Sequence, residues 1–191
     1  MKKGEHAVLV LGLVASAASH AHTGVHYGEG FAAGLAHPFL GLDHLLAMIA
    51  VGIWAVQLGG GRALAIPAAF ITAMVAGAML GAAGFAMPLG EAGIAVSVLT
   101  LGALVAFTPR AAWYWAVPLI GAFGLVHGHA HGAEMPAFAA PWQYFAGLVV
   151  ATALLHAFGA GGGLLMRRRI PLLRAGGAAI GLAGLWLVAT I

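Results

Sequence analysis

Histidine is the residue type in this chain that is best suited to chemistry. The 191-residue sequence contains ten histidines, five acidic residues and no cysteine. The absence of cysteine excludes disulfides, thiolate metal sites and cysteine nucleophiles, and no P-loop motif for ATP hydrolysis occurs. Imidazole and carboxylate ligands without thiolate suit Ni²⁺, Co²⁺ and Zn²⁺. The residue types therefore predict a site for a divalent transition metal.

Two histidines and a carboxylate near residue 130 have the spacing of a metal site. His127 and His131 are four residues apart, so one face of a helix can present both imidazoles to one ion. Glu134 follows about one turn later, and His129 points elsewhere if the helix continues, towards the entrance. The alternative is a solvated polar loop end, which three alternating histidines and a following carboxylate disfavour.

A second group, His37, Asp43 and His44, lies within an otherwise apolar segment. If that segment crosses a membrane, an ionised Asp43 would cost about 2.5–3.5 kcal/mol without a partner or water. It is either a metal-site residue or a structural residue, and both roles are compatible because a carboxylate can orient a ligand histidine. On an unbroken helix His37 and His44 would lie roughly 10 Å apart. Either a helix break brings them together or they are successive positions along a path.

Two further side chains are candidates with a competing interpretation. Met48 lies one turn after His44 and could present its thioether beside the imidazole, although packing in the core is favoured. His156, with Thr152 one turn before it, is either an exit-side ligand or a buried, hydrogen-bonded histidine.

The elements that must position these residues are membrane helices. The chain is 62% hydrophobic and only 7% Asp, Glu, Lys and Arg, whereas soluble domains are about 25% charged. Its 30 glycines suit close packing of helices in lipid. A spanning segment must be helical to satisfy its own backbone, so the composition predicts an all-α integral membrane protein. The arginines stand between or beside apolar blocks, which suits membrane topology better than nucleic-acid binding.

Residues 1–21 have the pattern of a cleavable export signal. Lys2 and Lys3 give a positive start, an apolar stretch follows, and residues 19–21 form a small-x-small cleavage site. We expect cleavage after Ala21, with an uncleaved signal anchor as the alternative. Cleavage exposes His22, whose amine and imidazole could chelate a metal jointly, with His26 nearby. A histidine-bearing tail with no fixed site is an equal alternative.

Residues 22–191 contain six further apolar blocks, which predict a six-span membrane domain. The blocks are Phe31–Leu58, Ala63–Phe85, Leu89–Phe107, Ala111–His127, Phe138–Ala160 and Pro171–Ile191. The first is too long for one straight span, because residues 28–58 would form a helix of roughly 45 Å against about 30 Å of hydrocarbon. Pro38 and Gly41 therefore predict a helix broken near Pro38–Gly41. Broken membrane helices line a cavity or are buried in protein.

The basic residues set the predicted orientation. With the mature N-terminus outside, the arginines of three loops fall inside and the acidic residues fall outside. These positions are Arg62, Arg110 and Arg167–Arg169 inside, and Glu29, Glu91 and Glu134 outside. This predicts a multi-pass protein of the bacterial inner membrane with both mature termini in the periplasm. Glu91 is interpreted as an interfacial residue rather than a ligand.

Two motifs resemble those of a known family. With the segment His37-Pro38-Phe39-Leu40-Gly41-Leu42-Asp43-His44, the chain resembles the HupE/UreJ family of nickel and cobalt permeases, which carries H-P-x-x-G-x-D-H in its first mature span. Residues 126–134 are similar to its second motif, F-H-G-x-A-x-G-x-E, with valine in place of the aromatic residue. The likeness covers essentially the whole chain. It implies uptake of Ni²⁺, or Co²⁺, for hydrogenase or urease maturation. It gives the ligand role to His37, Asp43, His44, His127 and Glu134.

These observations favour a permease that needs no cofactor and passes the ion from the periplasm to the cytoplasm. Zn²⁺ fits the same ligands, and a homo-oligomer is compatible with the sequence. The first alternative is a membrane-bound accessory or sensor protein that binds metal without moving it. The second is a membrane zinc enzyme using His127, His131 and Glu134, which the absence of an H-E-x-x-H motif disfavours.

Overall fold

The computed structural model describes residues 30–60, 63–87, 90–107, 113–136 and 139–191. The predicted export signal, its cleavage site, His22 and His26 lie outside these residues. Within the described ranges all regular secondary structure is helical, as the composition predicts.

Seven α-helices and one 3-10 turn follow one another in the described residues. They are α1 (Phe31–Ala36), the turn (His37–Phe39), α2 (Leu42–Leu58), α3 (Ala65–Ala82), α4 (Gly90–Phe107), α5 (Trp113–Ala133), α6 (Pro141–Met166) and α7 (Ile170–Thr190). Four of them, α3, α4, α6 and α7, are long and apolar enough to cross a membrane, and α1 with α2 makes a fifth if that bent pair is one span. Helix α5, which carries three histidines, is not among the helices that are long and apolar enough to span a membrane. The six-span count stays a prediction.

The break predicted near Pro38–Gly41 is present. Pro38 lies in the 3-10 turn after α1, and Gly41 adopts an extended backbone (φ −102°, ψ 119°) immediately before α2. Proline lacks the N–H that a continuous helix would use, and the extended Gly41 changes the chain direction. As a result, the axes of α1 and α2 differ by 84°.

Helix α5 continues to Ala133, beyond the apolar block Ala111–His127, so His127, His129 and His131 all lie on one helix. Gly128 and Gly132 do not interrupt the helix, because they are packing positions. A Cβ added at either glycine would overlap a backbone carbonyl oxygen of α3, that of Met74 or of Ala78. Since small residues let membrane helices approach closely, these glycines bring α3 and α5 together and keep the histidines of α5 on one regular helix.

Glycines also allow the close approach of two other helix pairs. A Cβ at Gly52 of α2 would overlap the His156 carbonyl oxygen of α6, and one at Gly102 of α4 would overlap the backbone of α7 at Gly181. The core between the pairs contains Met48, Trp54 and other side chains of which 1% or less is exposed. Helix α2 packs against α4 and α6, whereas α5 packs against α3 and α4, so both histidine-bearing helices border this core.

Candidate metal-binding site

The start of α2 fixes the ring of His44. The Oδ1 atom of Asp43 accepts a hydrogen bond from the His44 backbone N–H at 2.8 Å and lies 2.7 Å from His44 Nδ1. Because an ionised carboxylate can only accept, Nδ1 carries the proton in this pair. The other nitrogen, Nε2, is buried without a hydrogen-bond partner among the described residues. The carboxylate therefore orients the imidazole with Nε2 available as a ligand.

Gly41 makes room for this pair. A Cβ at Gly41 would lie 2.6 Å from Asp43 Oδ1 and 2.9 Å from His44 Nδ1. Both distances are shorter than real Cβ contacts, so it is the space at Gly41, and not its extended backbone, that favours glycine here.

On α5, the ring of His127 is held by a serine of α4. His127 Nε2 lies 2.8 Å from Ser97 Oγ, and the same hydroxyl lies 2.7 Å from the Ile94 carbonyl oxygen. His127 is fully buried, and its Nδ1 has no hydrogen-bond partner among the described residues. One turn further along, His131 is also fully buried, and neither of its ring nitrogens has such a partner.

Four imidazoles form a continuous row, here called the histidine row, in the order His37, His131, His44 and His127. Neighbouring ring centroids are separated by 4.8 Å, 4.3 Å and 5.0 Å along that order. The helix break explains the arrangement, because it allows residues 37 and 44 to contact His131 from two sides. The row thus combines both motifs, one from the broken helix and one from α5.

A cavity of about 210 Å³ is lined by His37 and His44, the first and third members of the row. His37 Nε2 is 3.2 Å from Glu134 Oε2 there. Three carboxylates line the cavity, those of Asp43, Glu91 and Glu134, and its described lining includes no lysine or arginine. The start of α4 and the ends of α5 and α7 meet at this end of the bundle. A cation entering here would meet these carboxylates together with the rings of His37 and His44.

No group of three or more histidine, aspartate or glutamate side chains is already arranged to hold an ion, within the part of the chain that the structure describes. The rings of His37 and His131 meet at 80°, and those of His44 and His127 at 84°. The imidazoles thus pack against one another. Their edge-to-face packing is not a preformed set of ligands.

The remaining candidates lie apart from the row. His129 Nε2 is 2.6 Å from the Phe85 carbonyl oxygen, so this side chain ties α5 to the segment after α3. Met48 is fully buried in the apolar core, as the packing interpretation predicts. Thr152, expected beside His156, donates instead to the sulfur of Met74 at 3.4 Å.

His156 lies beyond the end of the row that His127 forms. Phe70 of α3 separates it from His127, with ring centroids 5.1 Å from His156 and 5.5 Å from His127. Both nitrogens of His156 are buried without a hydrogen-bond partner among the described residues. Its side chain lines a second, largely apolar cavity of about 240 Å³ between α2, α3 and α6.

The model of one protein family, described as HupE / UreJ protein, matches residues 8–187 of the chain. The chain belongs to the HupE/UreJ family. Protein HupE of Rhizobium leguminosarum bv. viciae is 41% identical over 186 residues, which cover 96% of this chain and 97% of that protein. No solved structure matches the chain.

Membership in the HupE/UreJ family agrees with the resemblance drawn from the two motifs, and the structure brings the motif residues together. Sequence reasoning missed three contributors. Glu91 lines the cavity, Ser97 contacts His127, and the buried ring of Tyr144 lies 5.8 Å from that of His37. The sequence contained a clue to Glu91, because the predicted orientation places Glu91 and Glu134 on the same side of the membrane. The sequence contained no such clue to Ser97 or Tyr144, because their contacts depend on how the helices pack.

Proposed function

We propose that this HupE/UreJ protein is a permease that passes a divalent transition metal, Ni²⁺ or Co²⁺, from the periplasm to the cytoplasm. The observation that carries the proposal is the histidine row, which begins at a carboxylate-lined cavity and continues into the apolar core. Membership in a family of metal permeases, rather than of enzymes, supports the same function. The protein would need no cofactor, because the metal is its substrate.

Capture of the ion would begin in the cavity. The carboxylates of Asp43, Glu91 and Glu134 would attract the cation, and His37 and His44, which also line the cavity, would replace part of its water shell. Imidazole nitrogens bind both Ni²⁺ and Co²⁺ well. Because the ligand preferences of these ions overlap, selectivity between them depends on coordination geometry and on which metal is available. Zn²⁺ would compete for the same ligands.

Transfer along the row would follow from its spacing. Since adjacent ring centroids are 4.3–5.0 Å apart, an ion could be bound by one ring nitrogen before it leaves another. His131 is central because it contacts both His37 and His44. His156, on the far side of Phe70, would receive the ion on the exit side.

The proposed topology has six spans after a cleaved signal, with the cavity facing the periplasm. The broken pair α1–α2 and helix α5 would count as spans together with α3, α4, α6 and α7. The inner-membrane location, the periplasmic termini of the mature chain, and any homo-oligomer belong to this proposal. His22 and His26 would assist capture near the cavity mouth.

Accumulation of metal in a sealed compartment tests the proposal. Purified full-length protein in liposomes is given radioactive Ni²⁺ outside and a chelator inside, and protein-free liposomes serve as the control. A permease accumulates many ions per protein molecule, at a rate that saturates with nickel concentration. Retention of no more than a few ions per molecule would contradict transport.

A protein that binds metal without moving it is the second candidate. The observation that favours it is Phe70, which lies between His127 and His156 and interrupts the polar side chains. The same liposome experiment separates the two functions, because a sensor or accessory protein binds stoichiometrically and does not accumulate the ion.

A further inference from the structure

We propose that Ser97 is a positioning residue that fixes the tautomer of His127, so that Nδ1 is the ring nitrogen offered to the metal. This inference rests on the proposed metal-binding role of the histidine row. It concerns α4, a helix that contributes no histidine to the row.

The hydrogen-bond geometry at Ser97 carries the inference. Its hydroxyl lies 2.7 Å from the Ile94 carbonyl oxygen and 2.8 Å from His127 Nε2, and the serine is fully buried. A hydroxyl has one hydrogen and can also accept. The carbonyl can only accept, so the serine must donate to Ile94. Its oxygen then accepts a hydrogen bond from the Nε2–H of His127.

The opposite assignment is unfavourable. If Ser97 donated to an unprotonated Nε2, its oxygen would face the Ile94 carbonyl oxygen at 2.7 Å with no hydrogen between them. The Nδ1–H of His127 would also be a buried donor without a partner among the described residues. An unsatisfied buried polar group costs about 1–3 kcal/mol. The bonded arrangement leaves only an Nδ1 lone pair unused, which is the form in which imidazole binds a metal.

The ring of His44, the neighbour of His127 in the row, is held in the opposite tautomer. Asp43 accepts from Nδ1–H of His44, which leaves Nε2 unused. Two adjacent rings, 5.0 Å apart, are thus held in opposite tautomers by partners on two different helices. Partners that fix a ligand histidine in this way typically change metal affinity by about 10-fold to 100-fold when they are removed.

Nitrogen-15 NMR of the histidine rings tests the tautomer directly in metal-free, full-length protein in lipid bilayers. The His127 signals are identified by their loss in the His127→Gln variant. The wild-type protein should show Nε2 protonated and Nδ1 unprotonated. In Ser97→Ala both tautomers should appear. A wild-type His127 protonated at Nδ1, or an unchanged pattern in Ser97→Ala, would overturn the inference.

Nickel affinity, measured by equilibrium dialysis, tests the consequence independently of transport. Ser97→Ala should weaken binding by about 10-fold to 100-fold, and Ser97→Thr, which restores the hydroxyl, should recover most of it. Thr100→Ala is the matched control, because Thr100 lies on the same helix and its hydroxyl donates to the Val96 carbonyl oxygen of its own helix. Wild-type affinity in Ser97→Ala, or equal losses in Ser97→Ala and Thr100→Ala, would contradict the role. If wild-type liposomes accumulate no nickel, the permease proposal fails, while the NMR result still decides the tautomer.

Discussion

Asp43 and His44 are neighbours in sequence that are joined by two hydrogen bonds to one carboxylate oxygen. Oδ1 of Asp43 accepts from the backbone N–H of His44 at 2.8 Å and lies 2.7 Å from its Nδ1. This contact holds the first turn of α2 and the imidazole ring together. The carboxylate therefore couples the helix break to the direction of a candidate ligand.

Asp43→Asn is expected to weaken nickel uptake while the protein still inserts into the membrane. The amide oxygen can accept the same hydrogen bond, but the negative charge that strengthens it is lost. We expect the half-saturating nickel concentration to rise about 10-fold, the lower end of the effect of losing such a partner. Uptake kinetics at matched protein levels measure it, and wild-type kinetics in Asp43→Asn would count against an orienting role.

Gly41→Ala should abolish uptake, because the added Cβ would displace Asp43 Oδ1 and the His44 ring. Gly176→Ala is the control, since a Cβ at that position of α7 meets nothing within 4 Å. Both variants should reach the membrane in similar amounts. Equal uptake by the two variants would show that the space at Gly41 is not needed.

The all-helical class and the break near Pro38–Gly41 could be predicted from the sequence, because they depend on composition and local patterns. The metal class and the ligand residues stay predictions. Pro38 and Gly41 stand in a segment too long for one straight span, which indicates a break, and the four-residue spacing of His127 and His131 puts both on one helix face. The regularity of α5 through Gly128 and Gly132 could not be predicted. A glycine that weakens an isolated helix is indistinguishable in sequence from one that packs against Met74.

Likewise, the sequence could not decide whether His37 and His44 act together. Their relation depends on the angle of the break and on His131, which inserts from another helix. The carboxylate of Glu91 also reaches the cavity only through the packing of α4. These features depend on tertiary contacts, so they cannot be predicted from periodicity and spacing alone.

Gly128→Ala should destabilise the protein, because its Cβ would push α5 away from the Met74 carbonyl oxygen of α3. Overpacking of this kind typically costs about 1–3 kcal/mol. Thermal unfolding in detergent measures the change. Gly161→Ala in α6, where a Cβ meets nothing within 4 Å, should be neutral or slightly stabilising. A Gly128→Ala protein as stable as that control would refute the packing argument.

Nickel uptake should fall as the external solution is acidified from about pH 7.5 to about pH 5.5. Imidazole binds metal only as the neutral ring, so protonation removes the ligand lone pair. The loss is therefore expected on the acidic side and should be reversed when the pH is restored. Initial rates at a clamped membrane potential measure it. Faster uptake at the lower pH would be incompatible with capture by neutral histidines.

In the proposed permease the histidine row, rather than histidine content in general, carries the metal. His131 and His129 test it most directly, because they lie two residues apart on α5 with different partners. His131 contacts His37 and His44, whereas His129 bonds to the Phe85 carbonyl oxygen. In nickel uptake by liposomes containing equal amounts of folded protein, His131→Ala should lose transport and His129→Ala should retain most of it. Undiminished transport in His131→Ala would contradict the account.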